Sequence, residues 1–149
     1  MLGFSTTKWD GKPGHPEYLM CEVVPRCGGC EPFFVAVVYR PPREPFKEGT
    51  DFVPKITEHM HNYSTKIILG DFNADQLSSS EDAKFLRSFI EENSLFSVPF
   101  GATHHTATSD TWLNLYFVDT LDTVLSHWKS DSPFIASYDL VIASLRLNV

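Results

Sequence analysis

The 149-residue sequence has no long hydrophobic run and no excess of positive charge. No window approaches about 18 consecutive apolar residues, so we expect no membrane-spanning helix. The opening residues 1–15, MLGFSTTKWDGKPGH, lack the basic stretch and apolar segment of a signal peptide, which predicts an intracellular location. With 12 Lys and Arg against 19 Asp and Glu, the net charge is −7, too acidic to hold nucleic acid by charge alone. An enzyme that gathers carboxylates around a divalent cation is compatible with this balance.

Cysteine is also scarce, because only Cys21, Cys27 and Cys30 are present. An odd count without a secretory signal does not indicate a disulfide framework. Cys27 and Cys30 form a single C-x-x-C, so a small zinc-binding protein using Cys21, Cys27 and Cys30 is an alternative. A second cysteine pair is missing, and a glycine-rich hairpin tip with incidental thiols explains the pattern more simply.

The hydrophobic content of 42%, including 12 Phe, is enough to build a core and excludes disorder for most of the chain. We expect one α/β domain over residues 1–149, with residues 1–15 irregular or disordered. Hydrophobic spacing predicts helices over 51–62 and 79–93, the second opened by a capping box of Ser78 and Glu81. Short apolar runs predict strands at Tyr18–Val24, Phe33–Tyr39, Lys66–Leu69, Leu95–Val98, Leu113–Val118, Thr123–Ser126 and Leu140–Leu147.

The clearest chemical signal is Gly70-Asp71-Phe72-Asn73, which follows the apolar run Lys66–Leu69. In an extended chain, Asp71 and Asn73 project to the same side. A carboxylate placed there can orient or deprotonate a water molecule, and an amide can hold that water or a phosphate oxygen. Gly, Asp and Asn are also ordinary turn residues, so on spacing alone the simpler interpretation is a strand-to-turn junction.

Several motifs, taken together, favour the catalytic interpretation over the strand-to-turn junction. They are Glu17-Tyr18, Val37–Pro42, Ile67–Asn73, Thr103–Thr106 with Thr111–Asn114, and Pro133–Val141. In order and separation they resemble the endonuclease/exonuclease/phosphatase family, in particular the apurinic-type endonuclease domain of non-LTR (LINE-like) retrotransposons. The resemblance runs from Tyr18 to the end of the chain and lacks the first third of such a domain. It implies a four-layer α/β (α+β) β-sandwich that is incomplete at its N-terminus.

The resemblance also implies catalytic roles. Asp71 matches the carboxylate that activates the attacking water, Asn73 the amide that positions phosphate and water, and Tyr39 the tyrosine that contacts the scissile phosphate. Two positions depart from the family pattern. Asn114 stands where the family has an Asp that supports the catalytic histidine, and Tyr138 stands at the place of that histidine.

Substrate contacts are expected on the loops around 40–50 and 101–110, with Arg40, Thr103, His105 and Thr106 as the candidates. The main metal ligand of the family is a Glu in the missing third, so no metal ligand can be assigned. The implied cofactor is Mg²⁺ or Mn²⁺, and the implied partners are double-stranded DNA and a reverse transcriptase domain in a parent polyprotein. No membrane partner is expected.

The function implied by the resemblance is metal-dependent phosphodiester hydrolysis in the nucleus, with one strand of a DNA target nicked. Residues of one catalytic unit act together, so the missing Glu and the substituted Asp and His predict an enzyme that is weak or inactive. The alternatives are a catalytically dead relic or a binding module of the same fold.

Overall fold

The structure, a computed structural model, describes residues 3–8 (as backbone), 16–26, 29–42, 46, 52–130 and 136–146. The helices are α1 (Phe52–Met60) and α2 (Glu81–Glu92), with a short 3₁₀ turn at Leu121–Thr123. The strands are β1 (Gly3–Lys8), β2 (Glu17–Val24), β3 (Phe33–Tyr39), β4 (Lys66–Asp71), β5 (Phe96–Ser97), β6 (His104–His105), β7 (Asp110–Thr111), β8 (Asn114–Val118), β9 (Val124–Lys129) and β10 (Val141–Leu145).

A mixed six-stranded sheet organises the chain, with the strand order β1-β2-β3-β4-β8-β5. β2 and β3 form the predicted antiparallel hairpin. β3 and β4 run parallel, which requires a crossover connection, and α1 lies on that connection. β4 pairs antiparallel with β8, so polar residues at the end of β4 meet those at the start of β8.

One face of this sheet carries the main core. Residues alternate along β3, so that Phe34, Ala36 and Val38 are buried while Val37 and Tyr39 are exposed. Both helices present apolar faces to the buried side, and each fully buried large side chain there contributes about 2 kcal/mol. The core comprises Tyr18, Met20, Phe34, Ala36, Val38, Phe46, Phe52, Ile56, Met60, Ile68, Phe72, Ala74, Leu86, Phe89, Leu95, Leu115 and Phe117.

The opposite face is covered only in part. β9 and β10 form a two-stranded sheet, whose Val124, Val141 and Leu145 pack against a second cluster that includes Phe100 of the connecting chain and Val118 of β8. The fold is therefore an α/β sandwich, with helices, a large sheet and a small sheet as its described layers, which confirms the expected fold class. On the uncovered part of the large sheet, Leu19 and Val37 are 37% and 45% exposed.

Two local predictions were wrong. The N-cap of α2 is Ser80, whose Oγ accepts the Ala83 N–H at 3.3 Å. Ser78 instead donates its hydroxyl to the Asp75 carbonyl at 2.8 Å, because the chain between them forms a turn before the helix starts. Residues 3–8, expected to be irregular, form β1 and pair antiparallel with β2. The rest of residues 1–15 lies outside the described residues.

Both predicted helices are present, and each is a few residues shorter than the prediction. The predicted strands are also present, with bounds that shift by at most three residues, as is usual at frayed ends. The predicted loop around 101–110 carries the two short strands β6 and β7. Among the described residues, no helix combines the length and the apolar character that crossing a bilayer demands.

Candidate functional site

The predicted catalytic residues meet along one edge of the large sheet. Tyr39 is the register partner of Asp71 across the parallel β3–β4 pair, and Asp71 is the partner of Asn114 across the antiparallel β4–β8 pair. Glu17 lies opposite Tyr39 on β2 and extends the same row. Side chains directly opposite each other on neighbouring strands share a face. The row therefore collects two carboxylates, a phenol and an amide at the rim of the incompletely covered face.

Local backbone geometry fixes the end of β4. Gly70 has φ of +148°, and its α-carbon packs against the backbone of Val38 so closely that a side chain has no room. Asn73 has φ of 44°, a left-handed conformation that Asn tolerates better than most residues. Its backbone N–H donates to Asp71 Oδ1 at 3.0 Å, and its side-chain amide donates to the Arg40 carbonyl at 2.7 Å. Asn73 thus ties the Asp71 turn to the end of β3.

Tyr138 completes the cluster from a distant part of the chain. Its phenol lies beside the carboxylate of Asp71, and its ring lies 4.6 Å from the ring of His104. Burial raises the pKa of Asp71, although hydrogen bonds from Asn73 and Tyr138 and the charges of His104 and Arg40 oppose this. Burial and the nearby Asp71 carboxylate raise the pKa of Tyr138, so this phenol stays a donor at neutral pH. A carboxylate with a raised pKa is a stronger base, which suits the activation of water.

Arg40 does not have the position expected for a substrate contact. Its side chain is only 1% exposed, on the buried side of β3. The guanidinium donates to Asp82 at 2.6 Å and to the Asn73 carbonyl at 3.2 Å, and it lies 4.4 Å from the centre of the Phe46 ring. The prediction was wrong because Arg40 continues the inward alternation of β3. Arg40 supports the site from the core side of the sheet, where it cannot reach a ligand bound on the opposite face.

Thr103 was also predicted to contact substrate and is instead fully buried. Its Oγ1 accepts the backbone N–H groups of Leu113 and Asn114 at 3.2 and 3.0 Å. These bonds satisfy two backbone donors at the start of β8. Thr103 therefore positions Asn114 and is withdrawn from solvent.

The other two predicted contacts lie on the β6–β7 hairpin. The His105 ring faces the carboxylates of Asp110 and Asp139. Thr106 is exposed at the hairpin tip, where its hydroxyl oxygen accepts the N–H groups of Thr108 and Ser109 at 3.3 and 3.0 Å. Of the four predicted substrate contacts, Thr106 and His105 are accessible, whereas Arg40 and Thr103 are not.

Sequence reasoning missed three residues near the site. His104 packs on Tyr138, Asp139 follows Tyr138 directly, and Lys129 Nζ lies 3.4 Å from Asp139 Oδ2. His104 could have been found in the Thr-His-His-Thr motif, because adjacent strand residues point to opposite faces and only one of the two histidines can face the cluster. Lys129 carries no signal in the sequence, since only the fold brings β9 beside Asp139.

The described residues do not by themselves fit a complete divalent-cation site. Mg²⁺ is held through oxygen ligands, commonly one or two carboxylates with several waters. Asp71 and Asn114 face each other at the sheet edge, but Asp71 is already engaged by Asn73 and Tyr138. In the described ranges, no group of three or more His, Cys, Asp or Glu side chains is arranged to hold a metal ion.

The zinc hypothesis finds no support in the described part of the chain. Cys30 is disulfide-bonded, which the odd cysteine count did not predict, whereas Cys21 is a free thiol. A sulfur in a disulfide cannot serve as a thiolate ligand. The third candidate ligand, Cys27, lies outside the described residues.

Comparison with known structures defines the class of fold first. The structure resembles the endonuclease domain of TRAS1, a telomere-specific non-LTR retrotransposon, with a TM-score of 0.72 and 13% identity, covering 97% of this chain and 68% of that one. It also resembles an endonuclease/exonuclease/phosphatase protein from Leptotrichia buccalis, with a TM-score of 0.64 and 11% identity, covering 99% of this chain and 72% of that one. A third similar structure is such a protein from Beutenbergia cavernae, with a TM-score of 0.65 and 15% identity, covering 97% of this chain and 44% of that one. The chain thus has the endonuclease/exonuclease/phosphatase fold and spans part of the length of these proteins.

The match of the sequence to a family profile is more specific than the match of the fold. The profile of the endonuclease-reverse transcriptase family matches residues 33–139, which include the row of Tyr39, Asp71 and Asn114 as well as Tyr138. The chain belongs to this family. No curated protein matches it.

Proposed function

We propose that this chain carries the catalytic edge of a DNA-nicking endonuclease of the non-LTR retrotransposon type. The observation that supports this best is the row of Tyr39, Asp71 and Asn114 across three neighbouring strands, with Tyr138 beside Asp71. Membership of the endonuclease-reverse transcriptase family and the likeness to the TRAS1 endonuclease domain agree with this proposal.

In the proposed reaction, Asp71 accepts a proton from a water molecule, and the water oxygen attacks the phosphorus of one DNA strand. The bond from phosphorus to the 3′ oxygen breaks, and that oxygen takes up a proton from solvent and leaves as a free 3′ hydroxyl. Tyr39 and Tyr138 lie beside Asp71, where their hydroxyl groups can donate to phosphate oxygens as negative charge develops. A free 3′ hydroxyl is the end that a reverse transcriptase extends, which fits a parent polyprotein acting in the nucleus.

The proposed rate is low for two reasons. Asn114 cannot supply the negative charge that the family aspartate provides to its catalytic histidine, and Tyr138 stands in the place of that histidine. The family uses a divalent cation, whereas the described residues offer Asp71 and Asn114 without a third ligand. We therefore propose Mg²⁺ dependence with weak metal affinity, which requires ligands beyond this set.

The test is nicking of supercoiled plasmid with Mg²⁺, and with EDTA as a control. We would compare the chain with Asp71→Asn and with Asp122→Asn, a matched change at an exposed carboxylate on the 3₁₀ turn. The expected result is slow nicking that EDTA and Asp71→Asn abolish and that Asp122→Asn preserves. Nicking that survives Asp71→Asn would refute the assigned site. A folded chain that does not nick at high enzyme concentration would refute the activity and favour a dead relic or a binding module.

A further inference from the structure

His105 contacts two carboxylates at once. Its Nδ1 lies 2.6 Å from Asp110 Oδ1, and its Nε2 lies 2.9 Å from Asp139 Oδ2. A neutral imidazole carries one N–H, so only the protonated ring can donate to both carboxylates. Hydrogen bonds to Asp110 and Asp139 accordingly raise the pKa of His105. The protonated ring is a cationic link between the β6–β7 hairpin and the segment around Asp139.

That segment carries Tyr138, and the hairpin holds it on both sides. The backbone N–H of His105 donates to the Ser137 carbonyl at 2.8 Å, and the backbone N–H of Asp139 donates to the Thr103 carbonyl at 2.9 Å. His104 and Tyr138 form an isolated antiparallel bridge between these two bonds. The position of Tyr138 beside Asp71 therefore depends on contact between the hairpin and residues 137–139.

The charges around His105 are unevenly buried. The Asp139 side chain is 3% exposed, and its Oδ2 faces Lys129 Nζ from β9 as well as His105. Lys129 also donates to the Ala102 carbonyl. The Asp110 side chain on β7 is 69% exposed, so solvent screens its attraction to the ring. When His105 loses its proton, Asp139 keeps Lys129, but one of the two carboxylates loses its donor.

We propose that His105 is a positioning residue whose protonated ring clamps the β6–β7 hairpin onto Asp139 and thereby holds Tyr138 beside Asp71. The clamp goes beyond the proposed endonuclease reaction. Only the kinetic part of the test below depends on that reaction.

The sign of the pH dependence follows from the direction of the pKa shift. A histidine whose pKa is higher in the folded protein adds stability that is fully present below its unfolded pKa of about 6.5. This stability is lost as the pH rises through the folded pKa of His105. The clamp is therefore closed at acidic pH and loosens as the pH rises through the raised pKa of His105.

The first test needs no enzymatic activity. Amide hydrogen exchange followed by NMR would compare the chain with His105→Gln and with His61→Gln, a matched change at an exposed histidine after α1. After correction for intrinsic exchange, protection of the Asp139 amide should fall about tenfold as the pH rises through the pKa of His105, as expected for loss of one charge-assisted bond. His105→Gln should show the low protection at every pH, and His61→Gln should behave like the unchanged chain. Equal protection in His105→Gln and the unchanged chain would overturn the proposal.

A second variant keeps the test decisive if His105→Gln does not fold. Asp110→Asn retains the Asp139 contact and removes one carboxylate, so the midpoint of the protection change should move to lower pH. If the chain nicks DNA, its rate should rise as Asp71 ionises and fall as His105 deprotonates, and Asp110→Asn should move only the falling limb. A midpoint that Asp110→Asn leaves in place would overturn the clamp, whereas absence of nicking would count against the proposed function alone.

Discussion

Gly70 offers a sharp test of how the site edge is built, through the substitution Gly70→Ala. A β-carbon placed on Gly70 would lie 1.8 Å from the Val38 carbonyl oxygen and 2.7 Å from its carbonyl carbon. These atoms belong to the backbone of the adjacent strand, so no rotamer change can relieve the overlap. The φ of +148° adds strain of about 1–3 kcal/mol for any residue with a β-carbon. With the forced separation of β3 and β4, we expect a loss of at least about 4 kcal/mol in the free energy of unfolding.

Gly101→Ala is the matched control. Gly101 has φ of +72°, but a β-carbon there would meet nothing within 4 Å, so only the conformational strain of about 1 kcal/mol applies. In urea unfolding with a slope of about 2 kcal/mol per M, the difference of about 3 kcal/mol separates the two midpoints by about 1.5 M. Failure of Gly70→Ala to fold while Gly101→Ala folds would agree with this reasoning. Equal midpoints would refute the close approach of β4 to β3 at this position.

Three further predictions concern the residues around the site. Thr103→Val should lower the free energy of unfolding by about 1–3 kcal/mol in urea, because the buried N–H groups of Leu113 and Asn114 lose their acceptor, and an unchanged midpoint would contradict this. Arg40→Ala should lower the free energy of unfolding by about 3 kcal/mol, because it removes a buried ion-pair partner. Arg26→Ala, at an exposed arginine, should change the free energy of unfolding by no more than about 0.5 kcal/mol. Asn114→Asp should raise the pKa of Asp71 by about one unit in an NMR titration, because a second carboxylate would face it across β4 and β8, and a lowered pKa would argue against that pairing.

The short strands and the two helices could be predicted because their signals are local. Alternation along Phe33–Tyr39 and the helical spacing of apolar residues after Glu81 depend only on neighbours in sequence. The cap of α2 was misplaced because Ser78 and Ser80 both lie close to the helix start and either residue type can cap it. Only the backbone angles decide that Ser80 accepts the Ala83 N–H. β1 was missed because Gly3–Lys8 has little apolar alternation and is a strand through its pairing with β2.

The candidate site, like the fold, could be predicted from the sequence only in part. The motif around Asp71 and Asn73 and the family resemblance identified the residues of the row, since residue type and order along the chain carry that information. Arg40 and Thr103 were assigned to the substrate because polar side chains in a motif predict contact with a ligand. The packing turned both inward, where Arg40 pairs with Asp82 and Thr103 binds the start of β8.

The sequence by itself determined both helices and most of the strands, which family the motifs resemble and which polar groups stand at the strand ends. Only the tertiary structure decided which of these groups meet, because contacts between distant segments depend on strand order and register. The parallel pairing of β3 with β4 and the antiparallel pairing of β4 with β8 bring Tyr39, Asp71 and Asn114 into one row. The contact of residues 137–139 with the β6–β7 hairpin then places Tyr138 against His104 and His105 on Asp139.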